Sequence, residues 1–445
     1  MQKSPERVIF RHKNLAENDR KIPRRDEPEL FRPLLSDFTD MSHELVLLSE
    51  RIDWSYFERE FSPLYSRTGK PAMPVRLMVD CLLLKHMYNL GDETLASAWV
   101  MNAYMQYFCG EAFFQHRFPC DPSDFVHFRR RIGEGGVEKI FRHNVSLFGK
   151  RAKENLMVSD TMVQGNNTEF PTDAGQYRKV VEGCRRIASK ENVVQRQSYV
   201  RMSRQLLRDG YNARNPRRRK KASSSLRKLR TIAGRVVREL ERNGERLELY
   251  RRVPAQRCSD KDKVHSLHKP YTSCIAKGKA AVPYEFGNKV GIVSTAKEQI
   301  IVAVKAFRGN PNDGNTIEPL LELMESYGIK LPERLAYDRG CRGKRTIKGV
   351  RILTPGSQRK GDTVSERRAA IEPLIGLLRQ KENYLCGSSS PTVNAMLAAA
   401  AWNLKKLMRE LVDRHRRALL CLWRLVFEKG LHNRITVAGL VKCAS

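Results

Sequence analysis

The chain has 445 residues and a formal charge of +33, from 82 Lys+Arg against 49 Asp+Glu, which gives a pI near 10.0. That length allows two or three domains with a sizeable core, and the charge points to a polyanion partner, of which nucleic acid is the commonest. No apolar run approaches the roughly 20 residues of a membrane span, and the charged start M-Q-K-S-P-E-R-V-I-F-R-H-K has no leader-like apolar core. The ten cysteines form no C-x-x-C pair and the ten histidines no H-E-x-x-H spacing. Zinc is therefore disfavoured, the thiols are expected to be free in a reducing cytoplasm, and any metal should be a hard ion held by carboxylates.

Residues 1–42 are polar and interrupted by Pro5, Pro23, Pro28 and Pro33, which reads as an arm with part of it disordered. From 43 to 150 the pattern is helical. Pro74 starts a helix over Val75 to Leu90 that Gly91 should end, and Asp92 starts the next. Asp121-Pro122 caps a third, Ser123 to Ile132, ending in Arg129, Arg130 and Arg131. Gly133, Gly135 and Gly136 close it before a fourth, Val137 to Phe148. Short helices with an Arg-rich end suit a DNA-binding domain, and equally a plain helical bundle.

At Asn155 the period changes. L-M-V-S-D-T-M-V-Q reads as a buried strand bearing Asp160. Asp173 then opens a heavily basic helical insertion, about 174–255, whose centre is Arg217, Arg218, Arg219, Lys220 and Lys221. Five successive cations between two helices read as a loop, and in a chain of this charge as a phosphate-contacting one. Two strands follow, Y-E-F-G-N-K-V-G-I-V-S-T and Q-I-I-V-A-V-K-A-F, then the turn N-P-N-D-G-N-T and a helix from Ile317 to Tyr327. P-E-R-L-A-Y-D is a strand ending on Asp338, followed by the loop R-G-C-R-G and one more strand, G-V-R-I-L-T-P. In Val364 to Lys381 the apolar residues Ile371, Leu374, Ile375 and Leu378 recur as on a one-faced helix. Glu372 is flanked at helical spacing by Arg368 and Arg379. Pro373 disfavours α conformation in the residue before it, so the helix either starts there or kinks there. Helix resumes from Thr392 to Lys429. The order is that of a mixed α/β layer with a helical module spliced in.

Asp160, Asp338 and Glu372 come from different elements of that layer. Three such carboxylates can hold divalent ions that activate a hydroxyl and stabilise the leaving oxygen of a displacement at phosphorus. The plainer reading of the Glu372 helix is a surface helix with ordinary ion pairs.

These residues carry a resemblance. D-T-M-V-Q around Asp160, C-I-A-K-G-K-A-A-V-P-Y-E-F-G-N-K-V, F-R-G-N-P-N-D-G-N-T, Y-D-R-G-C-R-G around Asp338 and R-R-A-A-I-E-P-L-I-G around Glu372 together resemble the DDE transposases of bacterial insertion sequences. The likeness covers roughly residues 45–410, and K-P-A-M-P-V-R-L-M-V-D resembles their helical N-terminal domain. It implies a ribonuclease-H-like core over 151–410 and a metal triad of Asp160, Asp338 and Glu372 that takes Mg²⁺, with Mn²⁺ as a substitute; residues 411–445, beyond the likeness, read as a helical tail. It also implies a homodimer or larger assembly that pairs terminal inverted repeats and joins them to target DNA, in a bacterial cytoplasm at the nucleoid. Relatives often have Tyr, Arg, Glu and Lys at spacings that here fall on Ser365, Arg368, Glu372 and Arg379. The two departures leave room for a degraded copy that binds without cutting, or for a nuclease without strand transfer.

Overall fold

The computed structural model describes residues 33–66, 72–242, 247–257, 259–260, 262–276, 283–338, 346–354, 371–379 and 390–442, with backbone alone for 390 and 424–442. The chain divides into two compact units, 1–147 with 400–445, and 148–399.

The first unit is helical: α1 (Leu35–Phe38), α2 (Glu44–Arg51), α3 (Trp54–Phe61), α4 (Val75–Tyr88), α5 (Asp92–Val100), α6 (Ala103–Phe108) and α7 (Pro122–Ser146). Residues 1–32 of the expected arm lie outside the described residues. Its last part is folded, with Leu35 buried and Leu34 bridged to Phe113. α4 is buried on nearly every side, as a central bundle helix must be. It ends at Asn89, which takes the left-handed conformation (φ 58°), while Gly91 instead precedes α5 as its N-cap. Of the three glycines expected to close the third helix, Gly133 (φ 61°, ψ −165°) splits α7 into two helical runs, and Gly135 and Gly136 are helical. Asp121 accepts from Ser123 N, and Pro122 occupies the first turn.

The second unit is mixed α/β, built on an open sheet of seven strands among the described residues: β1 (Leu156–Gly165), β2 (Ser273–Ala276), β3 (Tyr284–Thr295), β4 (Ile301–Phe307), β5 (Arg334–Ala336), β6 (Thr346–Ile347) and β7 (Val350–Leu353). β3 runs antiparallel to β1, β2 and β4, whereas β1, β5 and β7 are parallel to one another. The spatial order is β4-β3-β1-β5-β7-β6, with β2 also along β3. Leu156 to Ser159 are buried, as on a strand covered on both faces, and accessibility rises at Asp160 and Thr161.

Between β1 and β2 come α8 (Asp173–Lys190), α9 (Val200–Asp209), α10 (Pro216–Glu241) and α11 (Glu248–Ala255). They have their own core, in which Val180, Val181 and Cys184 of α8 meet Leu229, Val236 and Leu240 of α10. The root of this insert is closed. Asn166, just past β1, donates to Thr272 Oγ1 at 2.9 Å and to Asn288 Oδ1 at 2.7 Å, and its carbonyl accepts from Lys269 Nζ at 2.6 Å.

α12 (Ile317–Ser326) packs on β3 and β4, close enough that a Cβ on Gly291 would lie 2.8 Å from Leu320 Cδ1. α13 (Ile371–Arg379) packs on β1 through Ile371, Leu374, Ile375 and Leu378. Glu372 and Pro373 lie in the first described turn of α13, whereas 364–370, with Ser365 and Arg368, lie outside the described residues, as does the loop 339–345 after Asp338. α14 (Ser390–Lys442) runs through residue 410, the expected end of the catalytic segment, without a break. Among the described residues no helix is long and apolar enough to cross a membrane.

Candidate active site

Parallel pairing sets Val158 beside Ala336 in β1 and β5. Asp160 and Asp338 each lie two residues beyond that last pair, so an extended course on both sides would bring them to the same face. Strand geometry persists past Ala336, since Tyr337 N donates to Leu353 O on β7 at 2.9 Å. Both acids line one cleft of about 550 Å³. It opens past the C-terminal end of β5, alongside the middle of β1, and ligands in open α/β sheets commonly sit at such strand ends.

The opposite wall is Asn310 to Asp313, the segment read as a turn, with Lys289 of β3 beneath it. Lys289 Nζ pairs with Asp313 Oδ1 and donates to Pro311 O at 2.7 Å. Thr161 Oγ1 donates to Asp313 Oδ1 at 3.0 Å, and Thr161 N donates to Asp160 Oδ1 at 2.6 Å. The Asp313 carbonyl accepts from Thr316 Oγ1 at 2.6 Å and from the buried Tyr337 hydroxyl at 3.2 Å. Tyr337 thus ties this wall to the residue before Asp338.

Asp313 and Lys289 were missed from sequence. Asn, Asp and Gly in N-P-N-D-G-N-T are what any turn needs, so Asp313 carried no separate signal. Lys289 did carry one: it is a lone cation in the apolar run K-V-G-I-V, and a buried lysine needs a partner.

Glu372 is exposed on α13 and is absent from the cleft lining. Among the described residues no group of three or more His, Cys, Asp or Glu forms a metal-binding cluster. Asp160 and Asp338 nonetheless suit a hard cation. Mg²⁺ commonly takes one or two carboxylates and completes its shell with water and substrate phosphate, and the cleft is open and polar enough to admit both.

The expected phosphate contacts fall into different settings. Arg217, Arg218, Arg219, Lys220 and Lys221 are exposed but helical, forming the first turns of α10 instead of a loop. Asn215 caps that helix by accepting from Arg217 N, Pro216 takes its first position, and Arg and Lys propagate helices well. Lys221 pairs with Asp209 at 2.9 Å. Arg130 is exposed. Arg129 is occupied, its guanidinium gripping both Asp92 oxygens at 3.0 and 2.8 Å. Lys85 joins Asp92 at 2.8 Å, so this trio ties α4, α5 and α7 together. Burial would raise the Asp92 carboxyl, but the two cations outweigh it and hold it below the usual carboxylate range. Arg379 stands 4.0 Å from Glu285 of β3.

The family described as Transposase domain (DUF772) matches residues 33–131. Over 187 residues the chain is 36% identical to the uncharacterized protein ORF8 in the nfe locus of Rhizobium meliloti, an alignment covering 41% of this chain and 90% of that protein. No solved structure matches. The chain belongs to one family with that protein, and its residues 33–131 match the transposase domain.

Proposed function

We propose that the protein is a DDE-type DNA transposase that binds the terminal inverted repeats of its own element, cleaves there and joins the ends to target DNA. The observation that carries this reading is that Asp160 of β1 and Asp338, two residues past the end of β5, line one cleft. The strand order β4-β3-β1-β5-β7, antiparallel on one side of β1 and parallel on the other, supports a ribonuclease-H-like core. The transposase domain match and the charge of +33 support DNA as the partner. Pairing two element ends calls for a dimer or larger assembly.

Asp160 and Asp338 would hold Mg²⁺ or Mn²⁺, with Glu372 as the third acid contributed from α13. When bound, the ion supplies charge stabilisation at the phosphoryl oxygens and lowers the pKa of an attacking hydroxyl or water. Lys289, at the cleft wall, is paired with Asp313, so the two brace the wall without adding net charge.

The test is nicking of terminal-repeat DNA with Mg²⁺ or Mn²⁺ by wild type and by Asp160→Ala. Cleavage by wild type alone is expected, and substantial cleavage by the variant would refute the site. The position of Glu372 outside the cleft lining favours one second reading, a chain that grips DNA without cutting it. Wild-type binding without wild-type cleavage on the same duplex would establish that reading instead.

A further inference from the structure

We propose that the groove between α8 and α9 is a binding track for the phosphate backbone of duplex DNA. The choice of DNA rests on the transposase reading above. The groove, about 800 Å³, is lined by Arg178 and Arg185 of α8 and by Arg201, Arg204 and Arg208 of α9. No carboxylate lines it among the described residues. Glu182 stands beside it, 3.4 Å from Arg178 and 3.7 Å from Arg204, and orients those two guanidiniums without neutralising five.

Arg201, Arg204 and Arg208 share one face of α9 at helical spacing, where like charges repel and cost helix stability. An anion in the groove reverses that cost. From Arg201 to Arg208 the helix spans about 10 Å at 1.5 Å per residue, longer than the separation of two successive phosphates of one strand. The face is thus sized for a run of successive phosphates. Arginine suits them better than lysine, because its planar fork donates two hydrogen bonds to one phosphate.

The track does not stop at α9. The Asp209–Lys221 pair joins the last turn of α9 to the first turns of α10, where Arg217 to Lys220 are exposed and no acid stands in the first turn. Cations there oppose the helix dipole, so a bound polyanion is what favours them. Groove and helix start form one cationic surface on the insert.

The experiment measures anisotropy of a labelled duplex of arbitrary sequence bound to full-length protein across a salt series. Arg201→Gln/Arg204→Gln/Arg208→Gln should weaken binding on the order of tenfold or more at moderate salt, equally for unrelated sequences. It should also reduce the slope of log K against log salt by about 0.9 per arginine. The matching triple Arg→Lys variant keeps most of the slope. Arg204 is 64% exposed, so Arg204→Gln alone cannot unfold the insert and should lower the slope by roughly 1. Unchanged slope and affinity in the triple variant, with its helix content intact, overturns the proposal. Tighter binding of an RNA duplex than of DNA overturns the partner. Asp160→Asn should bind DNA like wild type, so loss of cleavage with retained binding tests the cleft separately from the groove.

Discussion

The Lys289–Asp313 pair gives the sharpest test of how the cleft wall is held. The Lys289 side chain is only 10% exposed and that of Asp313 28%, so the ammonium sits almost out of water with its partner half in it. Removing one member of a fully buried pair costs about 3–5 kcal/mol, but solvent at Asp313 discounts that to roughly 2. Thr161 also loses its acceptor, worth about 0.5–1 kcal/mol in a position water can reach. Asp313→Ala is therefore expected to cost about 2–3 kcal/mol. Lys289→Met keeps the stem packed and leaves Asp313 to Thr161 and solvent, at about 1 kcal/mol. The double variant should cost less than the sum, with a coupling of about 1–2 kcal/mol. Amide hydrogen exchange in β3 and β4 reads this directly, since about 2 kcal/mol accelerates exchange from local opening roughly thirtyfold. Additive effects, or unchanged protection in Asp313→Ala, would show that the pair does not brace the wall.

Other expectations follow from the same geometry. Arg129→Ala removes the bidentate grip on Asp92 and should destabilise the helical unit by about 1–3 kcal/mol while leaving the salt dependence of DNA binding unchanged; a lowered slope would return Arg129 to the DNA surface. All four tryptophans (Trp54, Trp99, Trp402, Trp423) lie in that unit, so their fluorescence reports its unfolding. Gly287→Ala would set a Cβ 2.0 Å from Gln164 O across the β1–β3 ladder, a backbone obstacle that cannot turn aside. A loss of at least about 2 kcal/mol is expected, and an unchanged melting midpoint would contradict the close approach. Asp80 is fully buried, and burial pushes its carboxyl well above the usual range, with Arg76 at 3.5 Å only partly opposing and Glu58 adding to the rise. The folded chain therefore keeps a proton that the unfolded chain releases above about pH 4. Its stability should fall relative to Asp80→Asn as pH rises from there through the raised folded value. Parallel stability curves for the two proteins would refute this.

What could be read from sequence was local. Alternation and runs of Val, Ile and Met located β1, β3 and β4, and Asp121-Pro122 fixed the start of α7. Asp160 and Asp338 are each weak signals alone in a chain with many carboxylates, and their place in one cleft depends on the pairing of β1 with β5, strands far apart in sequence. No periodicity encodes that. Arg129 reads as part of an Arg-rich helix end, because its partner Asp92 is 37 residues away on another helix. The five cations at 217–221 read as a loop from charge alone, whereas the Asn215-Pro216 pair beside them is a helix start. Asn89 ended α4 where Gly91 was expected, since asparagine also tolerates the left-handed conformation.

The least local feature is the way the insert joins the sheet. A long helical excursion between two strands could have hung on a slack linker, and its charge would then serve only to raise the local concentration of DNA. Instead Asn166, six residues after Asp160, spends both amide hydrogens and its carbonyl on Thr272, Asn288 and Lys269, and Asn288 in turn donates to Tyr271 O at 3.0 Å. Gln176 of α8 donates to His265 O at 2.9 Å, a second tie between the outgoing and returning chain. Buried amide networks of this kind hold geometry because each broken bond strands a polar group away from water. The strand that carries Asp160 and the helices that carry the arginines therefore form one tied structure. On the proposed function, a duplex held by the α8–α9 groove would be held in a fixed register to the acid-lined cleft, as cleavage at a defined phosphate would require and a loosely tethered basic module would not provide.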